Sequence, residues 1–254
     1  MPESAKPTAL KAETLKAFAT YVRSAEAKME KSLSEGGAFL WSDAEAERAR
    51  QVREGQIVAE FWSGKGPCNV PNGLVHDWIG TVFIPEANLK VTLALIQNYD
   101  DHKNIYKPEV IDSKLISHRG GEFQIYLRLL KKKILTVVLD TYHEVLYRSL
   151  DAARADCRSQ TTRIAEVENA GSEREKVLPP DTGYGFLWRL NSYWRFQERE
   201  GGVYVECRAI SLSRDVPLGL GWVIQPIVQK LPKESLIQTL DSTRRALQAA
   251  RSSQ

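Results

Sequence analysis

The stretch PLGLGWVIQPIVQKLPKESLIQTLDSTRRALQAA, residues 217–250, decides the fold. It is a long helical pattern that follows strand-like sequence from about 109 to 213. A lone terminal helix after a run of strands must bury its apolar stripe on the sheet those strands make. Pro232 suits a first helical turn, where its missing N–H costs nothing. After it Leu236, Leu240 and Leu247 recur at helical spacing, with Ile237 beside them. Lys233, Glu234, Asp241, Arg244, Arg245 and Arg251 lie mostly off that stripe, so one side is apolar and the other charged. Upstream, Trp222, Val223, Ile224, Ile227, Val228 and Leu231 form a denser apolar piece interrupted at Pro226 and Pro232. The pattern predicts a short helix, a kink, then the long helix.

Working back from this helix, the sequence predicts seven long strands: 74–84, 109–117, 122–130, 134–150, 152–168, 185–198 and 203–213. Arg119-Gly120-Gly121 and Arg199-Glu200-Gly201-Gly202 are hairpin signals, so the sheet is expected to be antiparallel. In the sixth strand Phe186, Trp188, Leu190, Ser192, Trp194 and Phe196 share one parity. In the seventh, Val203, Val205, Cys207 and Ala209 do, with Tyr204, Glu206 and Arg208 opposite. Such alternation predicts one covered face and one wet face. Residues 169–182, NAGSEREKVLPPDT, read as a polar loop.

The segment before residue 74 is helical in pattern. Leu10, Phe18, Val22, Ala25 and Met29 keep helical spacing over 8–33, and Gly36-Gly37 ends it. Ser42 with Glu45 has the S-x-x-E spacing of a capping box for a second helix that stops near Gly55. Residues 56–62 are a candidate strand. Pro85 is expected to open a further helix running to Tyr99, and Asp100, Asp101 and His102 are expected in a solvated turn. The division expected is an N-terminal helical extension, 1–73, packed on a main domain, 74–254.

Composition bounds the function. The chain has 254 residues, 43% of them hydrophobic, and a net charge of +3 with mixed signs. No basic stripe interleaved with aromatics marks a nucleic-acid surface. No apolar run approaches the roughly 20 residues of a membrane span. Cys68, Cys157 and Cys207 form neither a disulfide framework nor a zinc spacing. The opening MPESAKPTAL has no apolar leader core, which places the chain as given in the cytoplasm; a leader already removed would place it outside.

Two segments carry a resemblance. YDDHKNIYKPEVIDSKLI (99–116) is similar to the entry into the second strand, and VYVECRAISLSRDVPLGLGWVIQPIVQKLPKESL (203–236) to the last strand and terminal helix, of the START / Bet v 1-like helix-grip superfamily. That superfamily, also called SRPBCC, includes polyketide cyclases and lipid-transfer domains. The resemblance covers about Leu74 to Ala250 and leaves 1–73 outside. It implies an α+β fold in which a curved antiparallel sheet of about seven strands wraps the terminal helix and encloses a tunnel for an apolar ligand.

The chemistry of a hydrolase or metalloenzyme is missing from the motifs. There is no G-x-S-x-G, no C-x-x-C, and His143-Glu144 lacks the second histidine of a zincin. Neither cofactor nor metal is expected. Two residues stand out by parity. His143 shares its face with Leu135, Val137, Leu139, Val145 and Tyr147; Arg163 shares its face with Cys157, Ser159, Thr161, Ala165 and Val167. Such residues are either polar anchors in a ligand cavity or hydrogen-bonded structural groups. Trp188 and Trp194 are candidates for the same wall or for plain core. The candidate cavity set is therefore His143, Arg163, Trp188, Trp194, Leu139, Thr161 and Val205. The leading expectation is a carrier of an apolar or amphipathic small molecule, with transient membrane contact left open. A cyclase- or aromatase-like enzyme on the same scaffold and an interaction module with a filled core are the alternatives.

Overall fold

Two tight turns show how local sequence builds the sheet. Glu200 and Gly201 both take positive φ, 55° and 74°, between the paired residues Arg199 and Gly202. That is the left-handed pair a two-residue hairpin needs to match strand twist. Gly120, φ 59°, does the same work between Arg119 and Glu122.

The computed structural model describes residues 7–132, 136–215 and 221–252, with side chains described for all but 221–229, 251 and 252. In chain order the elements are β1 (Thr8–Ala9), α1 (Ala12–Ser34), a 3-10 turn (Trp41–Ala44), α2 (Ala46–Arg53), β2 (Val58–Phe61), β3 (Cys68–Val70), β4 (Gly73–Pro85) and α3 (Leu89–Gln97). Then come a second 3-10 turn (Tyr99–Asp101), α4 (His102–Ile105), β5 (Val110–Arg119), β6 (Glu122–Lys132), β7 (Thr136–Ser149) and β8 (Arg154–Glu168). The chain continues through β9 (Lys176–Val177), β10 (Thr182–Gly183), β11 (Arg189–Arg199), β12 (Gly202–Arg214) and α5 (Gly221–Ser252).

The main sheet is wholly antiparallel and runs β2-β4-β12-β11-β8-β7-β6-β5. The seven long strands of the sequence reading are all present. Three short ones, β2, β3 and β9, bring the sheet to ten. β9 lies inside the expected polar loop, and β10 closes a separate two-stranded ribbon with β1.

Helix α5 lies on one face, called inner here. Leu236, Leu240 and Leu247 are all but fully buried against Trp78, Val82, Ile84, Val203, Val205 and Phe196. Gly80 makes room for the approach, since a Cβ there would stand 3.1 Å from Leu240 Cδ1. The helix departs from expectation in one respect. Gly221–Ser252 is a single helix, so Pro232 falls in its interior instead of its first turn. Residues 217–220, and the side chains of Trp222, Val223, Ile224, Ile227 and Val228, lie outside the described residues.

Two helix starts also differ from the sequence reading. Pro85 ends β4, and α3 is capped by Asn88, whose Oδ1 accepts the Val91 N–H at 2.8 Å. The Ser42–Glu45 capping box does not form. Ser42 falls in the 3-10 turn, its hydroxyl is buried without a hydrogen bond, and its backbone N–H goes to Glu206 Oε2 at 3.3 Å. A distant carboxylate has outcompeted the local cap.

The second face is the larger surprise. Tyr204, Glu206 and Arg208 are 1%, 2% and 3% exposed, so the alternation of β12 does not mark a wet side there. Helix α1 covers this outer face through Phe18, Val22 and Ala25, which meet Val75, Tyr193, Ile210 and Leu212. Phe39, Leu40 and Val52 cover Phe83 and Tyr204 beside it. β4 is thus buried on both sides, which is why LVHDWIGTVFI reads almost continuously apolar. Phe18→Ala should cost about 3–5 kcal/mol, read from a urea transition, because its cavity opens under a helix pinned on both flanks. A cost below about 1 kcal/mol would mean that α1 is only loosely laid on the sheet.

Candidate functional site

The inner face is built from cross-strand rows. Trp194 stands opposite Cys157 and Cys207, and Cys157 opposite Tyr147. One row along, Ser192 faces Ser159 and Ala209; the next pairs Thr161 with His143. Leu139 and Thr141 precede His143 on the same side of β7. Val205, fully buried, lies opposite Phe196 and joins the core under α5. Trp194 is half-buried, stacks on Phe196 at 6.2 Å and donates its indole N–H to Ser192 Oγ at 3.1 Å.

His143 is 6% exposed and fully paired. Thr141 Oγ1 donates its proton to Leu127 O at 2.9 Å, so it must accept from His143 Nε2, 2.9 Å away. That assigns the Nε2–H tautomer. Nδ1 is then free to accept from Ser159 Oγ at 3.4 Å. Burial pushes the imidazole down to about 4, with nearby His102 adding to the shift. His143 is therefore neutral near pH 7.

Five of the seven candidate residues share this face: His143, Trp194, Leu139, Thr161 and Val205. Two do not. The register between β7 and β8 shifts at Tyr142/His143, and Thr162 has no counterpart in the pairing. This bulge reverses the alternation, so Arg163 pairs with Tyr142 on the outer side, is exposed, and sits over the Tyr142 ring at 5.4 Å. Trp188 precedes β11 and follows Gly185, φ 78°, so strand parity does not reach it. Its ring packs with Phe18, Val22 and Leu212 beneath α1. Phe186, placed in the same apolar row by parity, is 40% exposed. Leu135 lies outside the described residues.

The sequence reading also passed over groups that belong here. His102 is not solvated. It is 6% exposed, lies between Tyr99 and Tyr106 at ring distances of 4.7 and 4.8 Å, and donates Nε2–H to Ile96 O at 2.8 Å. Tyr99 and Tyr147 share a hydroxyl hydrogen bond of 2.8 Å. Tyr106, pushed up to about 12 by burial, bonds Thr243 on α5 at 3.2 Å. Burial likewise raises the Cys157 and Cys207 thiols, which removes their nucleophilic form at neutral pH. Thr141 and Ser159 were findable by parity with His143 and Thr161. The burial of His102 was not, because it depends on a turn folding back beneath α5.

His102, His143, Tyr99, Tyr106, Tyr147, Cys157 and Cys207 are all held in their neutral forms at pH 7, which suits holding a ligand. The same burial makes a pH prediction. His76, His102 and His143 are all pushed down to about 4, by desolvation first. The unfolded chain takes those protons near pH 6.5. Between about 6.5 and 4 the unfolded state binds more protons, so stability is complete above 6.5 and drains as pH falls. The slope is up to about 1.4 kcal/mol per pH unit for each histidine. Glu166 and Glu206, raised by burial, work in the opposite direction. His143→Gln should therefore flatten the slope of unfolding free energy by one histidine's share between pH 7 and 5. An unchanged slope would refute the neutral buried assignment.

No protein-family model matches the sequence, and no curated protein matches it. Solved structures do resemble it. A STAR-related lipid transfer protein fragment from Xanthomonas axonopodis is 18% identical, with 72% of this chain and 99% of that chain covered at a TM-score of 0.45. The Zhui aromatase/cyclase from Streptomyces sp. R1128 is 11% identical, with 68% and 94% covered at 0.44. A START superfamily protein from Mycobacterium smegmatis is 11% identical, with 69% and 99% covered at 0.43. The order of strands with α5 across the inner face is decisive by itself. The chain has the helix-grip fold. Within the helix-grip part, α5 runs against β4, β2 and β12 and touches α3 and α4. The paired polar groups sit farther across the sheet, on β7 and β8. No helix among the described residues is long and apolar enough to cross a membrane.

Proposed function

We propose that the chain binds an apolar or amphipathic small molecule, such as a lipid, isoprenoid or polyketide-like ring, against the inner face of its sheet. The observation that carries this reading is the offset between helix and polar wall. The described part of α5 packs directly on β4 and its neighbours, while His143, Thr141, Ser159 and Thr161 are set in an otherwise apolar wall on β7 and β8. A wall of that kind gains by removing apolar ligand surface from water, and a few neutral donors and acceptors orient the ligand. The neutral, paired state of His143 favours sequestration over turnover.

The test is a titration of the delipidated full chain with N-phenyl-1-naphthylamine, a neutral apolar probe. Saturable fluorescence gain, displaced by a long-chain alcohol, is expected. Trp194→Ala should weaken it several-fold by removing wall area. His143→Gln should leave probe affinity within about threefold, since glutamine keeps a donor and an acceptor. A folded, delipidated wild-type chain that takes up no probe would refute the proposal.

A further inference from the structure

The outer face holds a second concavity, remote from the inner wall. It is a cavity of about 120 Å³ bounded by α1, the first 3-10 turn and the outer side of β4, β11 and β12. Its apolar walls include Met29, Leu40, Trp41 and Trp62. Its charged lining is Arg195, Arg208 and Glu206, with Ser32 and Tyr193 beside them. For scale, a cavity of ~150 Å³ accommodates benzene.

The guanidinium donors in this cavity are not all matched. Arg208 is 3% exposed and uses Nε and Nη2 on Asp77, at 2.8 and 2.6 Å. Its Nη1 is buried and makes no hydrogen bond among the described residues. The Trp62 ring lies 3.9 Å over the guanidinium and is itself 38% exposed, so a modest ring movement uncovers that nitrogen. Arg195 gives Nη1 to the Phe39 carbonyl at 2.6 Å, and no carboxylate lies within ion-pair distance of it among the described residues. Burial disfavours its charge. Glu206 is already committed to Thr81 Oγ1 at 3.0 Å and to the Ser42 N–H. Burial raises its carboxyl, which favours the uncharged form. Two guanidinium groups thus share this part of the outer face with Asp77 and Glu206, and one Arg208 donor is left without a partner among the described residues. A buried guanidinium donor left unpaired is costly, and an incoming anion recovers that cost.

We propose that this cavity is a binding site for a small organic carboxylate with a flat apolar body, seated between Trp41 and Trp62 and held by Arg195 and Arg208. The carboxylate suits guanidinium forks and the indoles suit a ring, and because the volume falls short of what encloses benzene, a single ring would be held only in part, its outer edge left in solvent. Because the site is roofed by α1 and the 3-10 turn, its occupant would also tie the N-terminal helices to the sheet.

The experiment is calorimetric titration of the full chain with benzoate, with benzamide as the neutral isostere and sodium phosphate as the anion without a ring. Benzoate should bind at one site tighter than about 1 mM, and at least tenfold tighter than either control. Arg195→Met keeps the side chain's length and should lower benzoate affinity at least tenfold while leaving N-phenyl-1-naphthylamine uptake unchanged. If that variant does not fold, the wild-type indole N–H resonances decide: those of Trp41 and Trp62 should move with benzoate and that of Trp194 should not. Equal affinity for benzoate and benzamide, unchanged affinity in Arg195→Met, movement of the Trp194 resonance alone, or no binding at millimolar benzoate would each overturn the proposal.

Discussion

A chain ending at Leu231 should lose its cooperative thermal melt. The deletion removes Leu236, Leu240 and Leu247, which are 4%, 0% and 1% exposed. At roughly 1.5–3 kcal/mol for each buried side chain, the loss rivals a typical domain stability of about 5–15 kcal/mol. It also uncovers Trp78, Val82, Val203 and Val205 on the inner face and breaks the Tyr106–Thr243 bond. Differential scanning calorimetry should show no sharp transition, with near-ultraviolet dichroism lost. Leu240→Ala keeps the question measurable in an intact chain. It should cost about 2–5 kcal/mol in urea, since Leu240 is fully buried and Gly80 offers nothing to fill the space. A truncated chain that melts as the full one does would show that α5 is not part of the core.

Removing the carboxylate of Asp77 should be nearly as damaging, from the opposite face. Asp77 and Arg208 have side chains 5% and 3% exposed and form a two-pronged ion pair, and Tyr21 on α1 donates its hydroxyl to Asp77 Oδ2 at 2.9 Å. Burial first, and then Asp77, keep the Tyr21 phenol protonated well beyond its ordinary range. Asp77→Ala leaves a buried guanidinium without its counter-charge, an expected loss of about 3–5 kcal/mol. The double variant Asp77→Leu with Arg208→Met should recover most of that loss, because an apolar pair of similar volume carries no desolvation cost. Urea transitions of Asp77→Leu, Arg208→Met and the double form the cycle. A single-variant cost below about 1 kcal/mol would mean that water reaches the pair.

The contrast between these two faces marks what was legible in the chain itself. Period and punctuation predicted the seven long strands, the hairpins at Gly120 and Gly201, and the helix bearing Leu236, Leu240 and Leu247. Those are local properties: a turn needs positive φ, a strand alternates, a helix repeats every 3.6 residues. Parity also placed His143, Leu139, Thr161, Trp194 and Val205 on one face, because β7, β11, β12 and the part of β8 that ends at Thr161 alternate without interruption over those residues. Parity failed for Arg163, where one unpaired residue in β8 reversed the sides, and for Trp188, which lies before its strand begins. A bulge is chosen by the partner strand and leaves little trace in its own sequence.

Tertiary structure alone decided the outer face. Tyr204, Glu206 and Arg208 alternate as a wet strand would, yet they are buried because α1 and the 3-10 turn arrive from more than a hundred residues upstream. Ser42 likewise has the spacing of a capping box and spends its backbone N–H on Glu206 instead. His102 sits in a polar sequence and is buried between two tyrosines. In each case the deciding partner is distant in the chain. Sequence periodicity records which residues can share a face; only the assembled fold settles whether water or another element occupies it, since burial is a property of neighbours that local spacing does not encode.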